Sequence, residues 1–184
     1  MKNKNFLIFI PTFNEKSNVK LIYNELNSLD LKFDILFLDD DSPDGTGIIL
    51  DEIAKIDKKV KIIHRKIHNK GIGSAHIDGI KYAYENNYNF LITMDCDLSH
   101  SPKYIDDFIL KKDTADLIIG TRFVNKSSIE SWNIYRKLLT NLARFATLVL
   151  LGIKFDATGA FRLYNLNTIN KKFIKLNTFA RYSF

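Results

Sequence analysis

Short apolar runs alternate along the chain with longer segments in which apolar residues recur at helical spacing. Five runs have the length and composition of buried strands: residues 6–10, 35–38, 60–64, 90–94 and 116–119. Four segments between them have the spacing of amphipathic helices: residues 18–29, 47–56, 72–86 and 102–111. Because strands that alternate with helices form βαβ units, we predict an α/β fold with a Rossmann-like, mostly parallel sheet flanked by helices.

The sequence contains no internal repeat, linker or low-complexity tract. Its 184 residues, 46% hydrophobic and 26% charged, suffice for one domain with its own core and exclude a disordered chain. We therefore predict a single domain over residues 1–184. The apolar stretch at residues 145–153 is far shorter than the ~20 residues that a transmembrane helix needs, so no membrane span is expected.

The net charge indicates the class of binding partner, and the cysteine content indicates the cellular compartment. The formal net charge of +6 favours an anionic partner such as a phosphate, a nucleotide or a lipid head group, and we expect no nucleic-acid partner. The single cysteine, Cys96, excludes an internal disulfide framework and indicates a reducing compartment. We expect backbone contacts rather than thiol chemistry at this position.

Acidic residues follow three of the predicted strands, at the edge where parallel sheets bind ligands. Asp95 and Asp97 follow the fourth strand, and two carboxylates with one residue between them can converge on Mg²⁺ or Mn²⁺. The alternative is a polar turn in which Asp97 or Ser99 caps a helix. The position of the pair directly after an apolar strand favours the metal site.

The other acidic groups have both a ligand-binding and a local interpretation. One of the carboxylates of residues 39–41, after the second strand, can accept a hydrogen bond from a base or ribose, or the cluster can be a solvated turn. Glu15, after the first strand, can serve the same pocket or lie in the first turn of the next helix.

Three basic residues are candidates for binding phosphate. Lys70 lies in a glycine-containing loop that opens a helix, although the loop lacks the GxGxxG pattern and the glycines can serve the turn alone. Arg122 follows the fifth strand, and Arg162 lies further along the chain. Arginine suits phosphate oxygens, and either residue can instead form a surface ion pair.

Six blocks of the sequence, read together, resemble the family 2 glycosyltransferases, and most of all the dolichol-phosphate (polyprenol-phosphate) mannosyltransferases. The blocks occur in the family's order and spacing: PTFNE (11–15), LDDDSPDGT (38–46), NKGIGSAHIDGIKYA (69–83), MDCDLSHSP (94–102), GTRF (120–123) and TGAFRLY (158–164). The resemblance implies a GT-A fold and metal-dependent transfer of mannose from GDP-mannose to a polyprenyl phosphate, with inversion at the anomeric carbon.

The resemblance also assigns roles to individual residues. Asp97 would be the main metal ligand with Asp95 beside it, and Arg122 would contact a phosphate of the donor or acceptor. Phe13 stands where the family usually has tyrosine. The implied substrate-binding residues, with the two further basic candidates, are Pro11, Phe13, Glu15, Leu38, Asp40, Lys70, Asp95, Cys96, Asp97, Arg122 and Arg162.

Residues 132–153 mix aromatic and aliphatic residues with arginine and lysine, a pattern typical either of an amphipathic helix on an anionic membrane or of a helix packed on the sheet. With the lipid acceptor that the family implies, we expect a cytoplasmic protein, peripheral at the cytoplasmic face of a membrane. The family's acidic acceptor-side segment and later basic loop are expected beyond Ala180 and are not in this sequence. Nucleotide binding is therefore expected to survive in this chain, with weak or missing transfer.

Two further hypotheses stay open at this point. A related polyprenyl-phosphate sugar transferase would use a UDP-sugar, since no residue pattern separates guanine from uracil here. A truncated, non-catalytic remnant would bind a nucleotide sugar without transferring it.

Overall fold

The computed structural model of the chain describes residues 4–66, 71–120, 149 and 159–169. Six strands are present in this part of the chain: β1 (Lys4–Thr12), β2 (Asp34–Asp39), β3 (Val60–His64), β4 (Tyr88–Thr93), β5 (Leu117–Ile119) and β6 (Arg162–Asn165). Four α-helices accompany them: α1 (Val19–Asn27), α2 (Thr46–Ile56), α3 (Ile72–Glu85) and α4 (Ile105–Lys111). No helix among these residues is long and apolar enough to cross a membrane.

The strands form one sheet in the order β3-β2-β1-β4-β6-β5. β1 pairs in parallel with β2 on one side and with β4 on the other, and β2 pairs in parallel with β3. β6 is antiparallel to both of its neighbours, β4 and β5. The strand order reverses between β1 and β4, which makes the crevice beyond their carboxyl ends the expected ligand site of such a sheet.

Apolar side chains pack on both faces of the sheet. On one face, Ile8 and Ile10 of β1 belong to a buried cluster with residues of α1, α2 and α4. On the other face, Leu7 and Phe9 of the same strand pack with Leu91 and with Ala75 and Ala83 of α3. The side chains of β1 thus alternate between two cores, as expected for a central strand covered by helices on both sides.

The mostly parallel sheet and the alternation of strands and helices confirm the predicted α/β fold. The predicted helix at 102–111 is divided into a 3₁₀ turn, Pro102–Tyr104, and α4. Sequence analysis missed β6, a four-residue strand far along the chain from the β4 strand that it pairs with. Short strands without long alternation give little signal, because their pairing is decided by non-local contacts.

The packing of α3 on β1 depends on the absence of a side chain at Gly79. A Cβ at this position would lie 2.7 Å from Cδ2 and Cε2 of the buried Phe9 ring. We expect Gly79→Ala to destabilise the protein by about 1–2 kcal/mol, because overpacking outweighs the ~1 kcal/mol that alanine gains in a helix. Urea denaturation measures this difference. In a Phe9→Leu background the same substitution should be neutral or stabilising, and an unchanged penalty there would contradict the account.

Candidate functional site

The loops that follow β1 and β2 are joined by backbone-to-side-chain hydrogen bonds. The backbone N–H groups of three successive residues donate across the gap: Asn14 to Ser42 Oγ at 2.9 Å, Glu15 to Thr46 Oγ1 at 2.9 Å, and Lys16 to Asp44 Oδ2 at 3.1 Å. The Thr46 hydroxyl also donates to Asp44, and this hydrogen bond lowers the pKa of the Asp44 carboxyl. These contacts hold Glu15 at the carboxyl edge of the sheet. α1 begins only at Val19, beyond Glu15.

Asp39, at the end of β2, is buried and organises the turn that follows. Its Oδ1 accepts a hydrogen bond of 2.5 Å from Ser42 Oγ, and its Oδ2 accepts one of 3.2 Å from the Ser42 backbone. His64 Nδ1 lies 3.7 Å from Asp39 Oδ2, and His64 Nε2 lies 3.0 Å from Asp51 Oδ1. Asp39 therefore has the local, turn-forming role that its position after a strand allows. Asp41 is exposed and has a positive φ of 57°.

Asp40 is buried and paired with Arg65, the residue after β3. Arg65 Nε donates to Asp40 Oδ1 at 2.6 Å, and Arg65 Nη2 donates to Asp40 Oδ2 at 2.7 Å. The Gly71 backbone N–H donates to the same Oδ2 at 2.9 Å. Sequence analysis missed Arg65. Arg65 directly follows an apolar strand, and the same pattern made Asp95 a site candidate, so the sequence did contain a signal for it.

The segment from Asp95 to Asp97 follows β4 and places charge around a buried thiol. Asp95 is half-buried, Cys96 is 2% exposed, and Asp97 is exposed with its Oδ1 accepting a 2.9 Å hydrogen bond from the Ser99 backbone. Burial raises the pKa of the Cys96 thiol, and the negative charges of Glu15, Asp97 and Asp95 raise it further. Both effects favour the protonated form of the thiol. The loops after β1 and β4 lie beside each other at this edge because the two strands pair in parallel.

Arg162 begins β6 at the same edge, because β6 runs antiparallel to β4. It pairs in register with Thr93, the last residue of β4, and its Nε donates to the Gly159 carbonyl at 2.8 Å. His76 of α3 lies close enough to Arg162 for the charge of the arginine to affect the pKa of the histidine. Burial lowers the pKa of His76 to about 4, and the positive charge of Arg162 contributes to the shift. Arg162 is therefore a half-buried cation beside the acidic edge.

Three candidates from the first two strands differ in exposure. Phe13 is 54% exposed in the loop after β1, and Pro11 is half-buried near the end of that strand. Leu38 is fully buried beneath α3, and its carbonyl accepts a hydrogen bond of 3.2 Å from Thr12 Oγ1. The Phe13 ring is thus accessible from solvent, whereas the Leu38 side chain lies in the core beneath the edge.

Two candidate residues and one candidate segment lie outside the described residues. Lys70 precedes Gly71, with which the described part of the chain resumes at the start of α3, and Arg122 follows the segment that contains β5. The proposed membrane-binding segment at 132–153 is also outside, apart from Val149, which is helical and 61% exposed.

The acidic edge fits a divalent cation in its chemistry but does not form a closed site. Within the described ranges, no three His, Cys, Asp or Glu side chains converge in a manner that would hold a metal ion. Asp97 is exposed, so its carboxylate is accessible from solvent, and Asp95 beside it is half-buried. Mg²⁺ takes one or two carboxylates together with substrate phosphates, and such a partial donor set is what this edge provides.

Comparison with known sequences identifies relatives of the whole described domain. The profile of glycosyl transferase family 2 matches residues 7–172. A polyprenol monophosphomannose synthase of Mycolicibacterium smegmatis is 34% identical over 168 residues, which cover 90% of this chain and 63% of that protein. An undecaprenyl-phosphate mannosyltransferase of Micrococcus luteus is 34% identical over 164 residues, which cover 89% of this chain and 67% of that protein. The chain spans about two thirds of the length of these relatives.

Comparison with solved structures supports the fold assignment. Glucosyl-3-phosphoglycerate synthase from Mycobacterium tuberculosis, crystallised with Mn²⁺, uridine diphosphate and glucosyl-3-phosphoglycerate, matches with a TM-score of 0.62 at 16% identity. The match covers 88% of this chain and 57% of the synthase. At this level of identity the likeness shows the fold alone, which is that of GT-A glycosyltransferases.

The depressed pKa of His76 predicts a loss of stability in mild acid. Unfolding restores the pKa of this group from about 4 to its usual 6.5, so the unfolded chain binds the proton first as pH falls. We expect the free energy of unfolding to drop between pH 6.5 and pH 4, with roughly 3 kcal/mol of that drop due to His76. Urea titrations of wild type and His76→Gln across this range measure the difference. Arg162→Gln should reduce the drop by less, and equal drops in wild type and His76→Gln would contradict the assignment.

Proposed function

This chain belongs to glycosyl transferase family 2, and we propose that it transfers mannose from GDP-mannose to a polyprenyl phosphate. The observation that carries the proposal is the parallel pairing of β1 with β2 and β4, which places Glu15, Asp40, Asp95 and Asp97 in the loops at one edge of the sheet. The names of its two relatives, both synthesising mannosylated polyprenyl phosphates, supply the reaction class. This chain spans about two thirds of the length of those proteins, so their complete activity is a proposal for this chain.

The nucleotide would occupy the carboxyl edge beyond β1 and β2. Phe13 would pack against the base, with Pro11 beside it and Leu38 beneath, and Asp40 would accept a hydrogen bond from the base or ribose. This arrangement is supported by the exposed ring of Phe13 and by the buried, firmly held carboxylate of Asp40. Glu15 would line the same pocket, since three backbone N–H groups of its loop donate hydrogen bonds to side chains of the β2 loop.

The diphosphate of the donor would lie near Asp95, Cys96 and Asp97, with Cys96 contributing only its backbone. Asp97, with Asp95, would hold Mg²⁺ or Mn²⁺, which when bound neutralises the charge that develops on the departing diphosphate. The exposed carboxylate of Asp97 supports the assignment, because Mg²⁺ takes one or two carboxylates together with substrate phosphates. The M. tuberculosis synthase of the same fold was crystallised with Mn²⁺ and uridine diphosphate.

The acceptor would be a phosphate monoester, which is anionic and nucleophilic at neutral pH. One of its oxygens would attack the anomeric carbon of mannose while the bond from that carbon to the diphosphate oxygen breaks and its electron pair leaves with GDP. No strong general base is then required, which fits a carboxyl edge where burial lowers the pKa of the nearby His76 to about 4 and makes it a weak base. Arg162, Arg122 and Lys70 would hold the two anions in place, with Arg122 at the reacting phosphate.

The lipid acceptor would bring the protein to the cytoplasmic face of a membrane as a peripheral protein. Residues 132–153 would lie on that surface, since their mixture of basic, aromatic and aliphatic side chains suits an anionic interface. Binding of the chain to vesicles with and without anionic lipid tests this part of the proposal separately from catalysis.

The direct test of the function is a transfer assay with radiolabelled GDP-mannose, Mn²⁺ and a short polyprenyl phosphate, run on this chain and on a C-terminally extended form. Formation of a mannosylated lipid by either protein supports the proposal. Nucleotide binding without transfer by both would favour a non-catalytic sugar-nucleotide binder. Transfer from UDP-glucose or UDP-N-acetylglucosamine in place of GDP-mannose would move the assignment to a UDP-sugar enzyme.

The proposed role of Asp97 in metal binding can be tested separately from its role in the turn after β4. Asp97→Asn keeps an oxygen to accept the Ser99 N–H but removes the charge that would hold the cation. We expect Mn²⁺ to strengthen GDP binding to the wild type and not to this variant, a loss of roughly 1.5–3 kcal/mol, or tenfold and more in affinity. Isothermal titration with and without Mn²⁺ measures both effects.

Asp113→Asn is the matched control, since this carboxylate lies beyond the end of α4 with 71% of its side chain exposed. It removes the same charge and should retain the full effect of Mn²⁺. Equal enhancement in wild type and Asp97→Asn would refute the metal assignment.

A further inference from the structure

A buried arginine joins the carboxyl end of β2 to the beginning of α3. The side chains of Arg65 and Asp40 are only 6% and 10% exposed. The guanidinium contacts both oxygens of the Asp40 carboxylate: Nε donates to Oδ1 at 2.6 Å, and Nη2 donates to Oδ2 at 2.7 Å and lies 2.5 Å from Oδ1. This two-point contact fixes the orientation of the carboxylate, which a single hydrogen bond would leave free to rotate.

The rest of the guanidinium holds the first turns of α3. Arg65 Nη1 donates to Ser74 Oγ at 2.7 Å and to Asp78 Oδ2 at 3.3 Å, and Nη2 donates to the Gly71 carbonyl at 3.0 Å. The Gly71 N–H returns to Asp40 Oδ2 at 2.9 Å, which closes a ring of hydrogen bonds. Asp40 and the start of α3 therefore cannot move independently while Arg65 is in place.

The contacts leave Asp40 with limited capacity to bind anything else. A carboxylate offers about four lone-pair positions, and the Arg65 fork and the Gly71 N–H take three of them. With respect to the described residues, about one acceptor position remains, on an oxygen whose direction is set by the arginine. A lysine would not replace this function, because a single ammonium group lacks the planar fork.

We propose that Arg65 is a positioning residue for nucleotide binding, which aims the remaining acceptor of Asp40 at the donor without itself touching the nucleotide. The inference rests on the proposed function, in which Asp40 accepts a hydrogen bond from the base or ribose. It adds a residue 25 positions away in sequence, directly after a different strand, whose effect on binding passes through Asp40.

A double-mutant cycle tests the inference. GDP affinity in the presence of Mn²⁺ is measured by isothermal titration for wild type, Asp40→Asn, Arg65→Met and the double variant. We expect each single substitution to weaken GDP binding tenfold or more. We expect the double variant to bind no more than about threefold more weakly than the weaker single variant. Arg65→Lys should bind GDP no better than Arg65→Met.

Two measurements distinguish a positioning role of Arg65 from a general loss of protein stability. Tyr88→Phe removes a 2.5 Å hydrogen bond to Asp34 at the opposite edge of the sheet, so it should lower the free energy of unfolding and leave GDP affinity unchanged. In the absence of nucleotide, hydrogen exchange of the Gly71 amide should accelerate at least tenfold in Arg65→Met and in Asp40→Asn, relative to the amide of Leu91 in β4.

The outcomes distinguish this inference from the function on which it rests. If the wild type binds GDP and the two substitutions act additively, or if Arg65→Met binds normally, the inference is wrong and the proposed function stands. If Tyr88→Phe weakens GDP binding as much as Arg65→Met, the arginine acts only through stability and the inference is also wrong. If the wild type binds neither GDP nor UDP with Mn²⁺, both are overturned.

Discussion

The parallel pairing of β1 with both β2 and β4 is the constraint on which the candidate site depends. It brings the carboxyl ends of three strands to one edge, so that residues distant in sequence become neighbours. Glu15 follows β1, Asp40 follows β2 and Asp97 follows β4, and no local structure would place these three residues at the same edge of the sheet. A slip of one residue in β1 would exchange its two buried faces, so the register is fixed by the cores on both sides of the sheet.

Much of this fold was predictable because its signals are local. Each parallel strand is a run of buried apolar residues, and each helix carries an apolar stripe, so the order of elements follows from the sequence near each one. β6 was not predictable in the same way. Its residues alternate between buried and half-buried positions over only four residues, and its place between β4 and β5 depends on contacts made across the chain. The length of a strand thus decides whether sequence alone can identify it.

The candidate site was predictable in position and less so in detail. Acidic residues directly after apolar strands are predicted to lie at the carboxyl edge of the sheet, because parallel topology places them there whatever the directions of their side chains. What the sequence could not show was that Asp39 and Asp40, adjacent in the chain, have different partners. Asp39 forms the turn with Ser42, whereas Asp40 pairs with Arg65 in a setting where an unpaired charge would be costly to bury. Such assignments depend on side-chain direction and on a partner from another strand.

The most direct measurement of the central claim is a crystal structure of the chain with GDP and Mn²⁺, with the ion located by its anomalous scattering. The account predicts one strong anomalous peak within coordination distance of Asp97, in the crevice between the loops that follow β1 and β4. The diphosphate should lie beside this peak, and the base should lie toward Phe13 and Asp40. Mn²⁺ and nucleotide bound elsewhere, with Asp97 free of both, would contradict it.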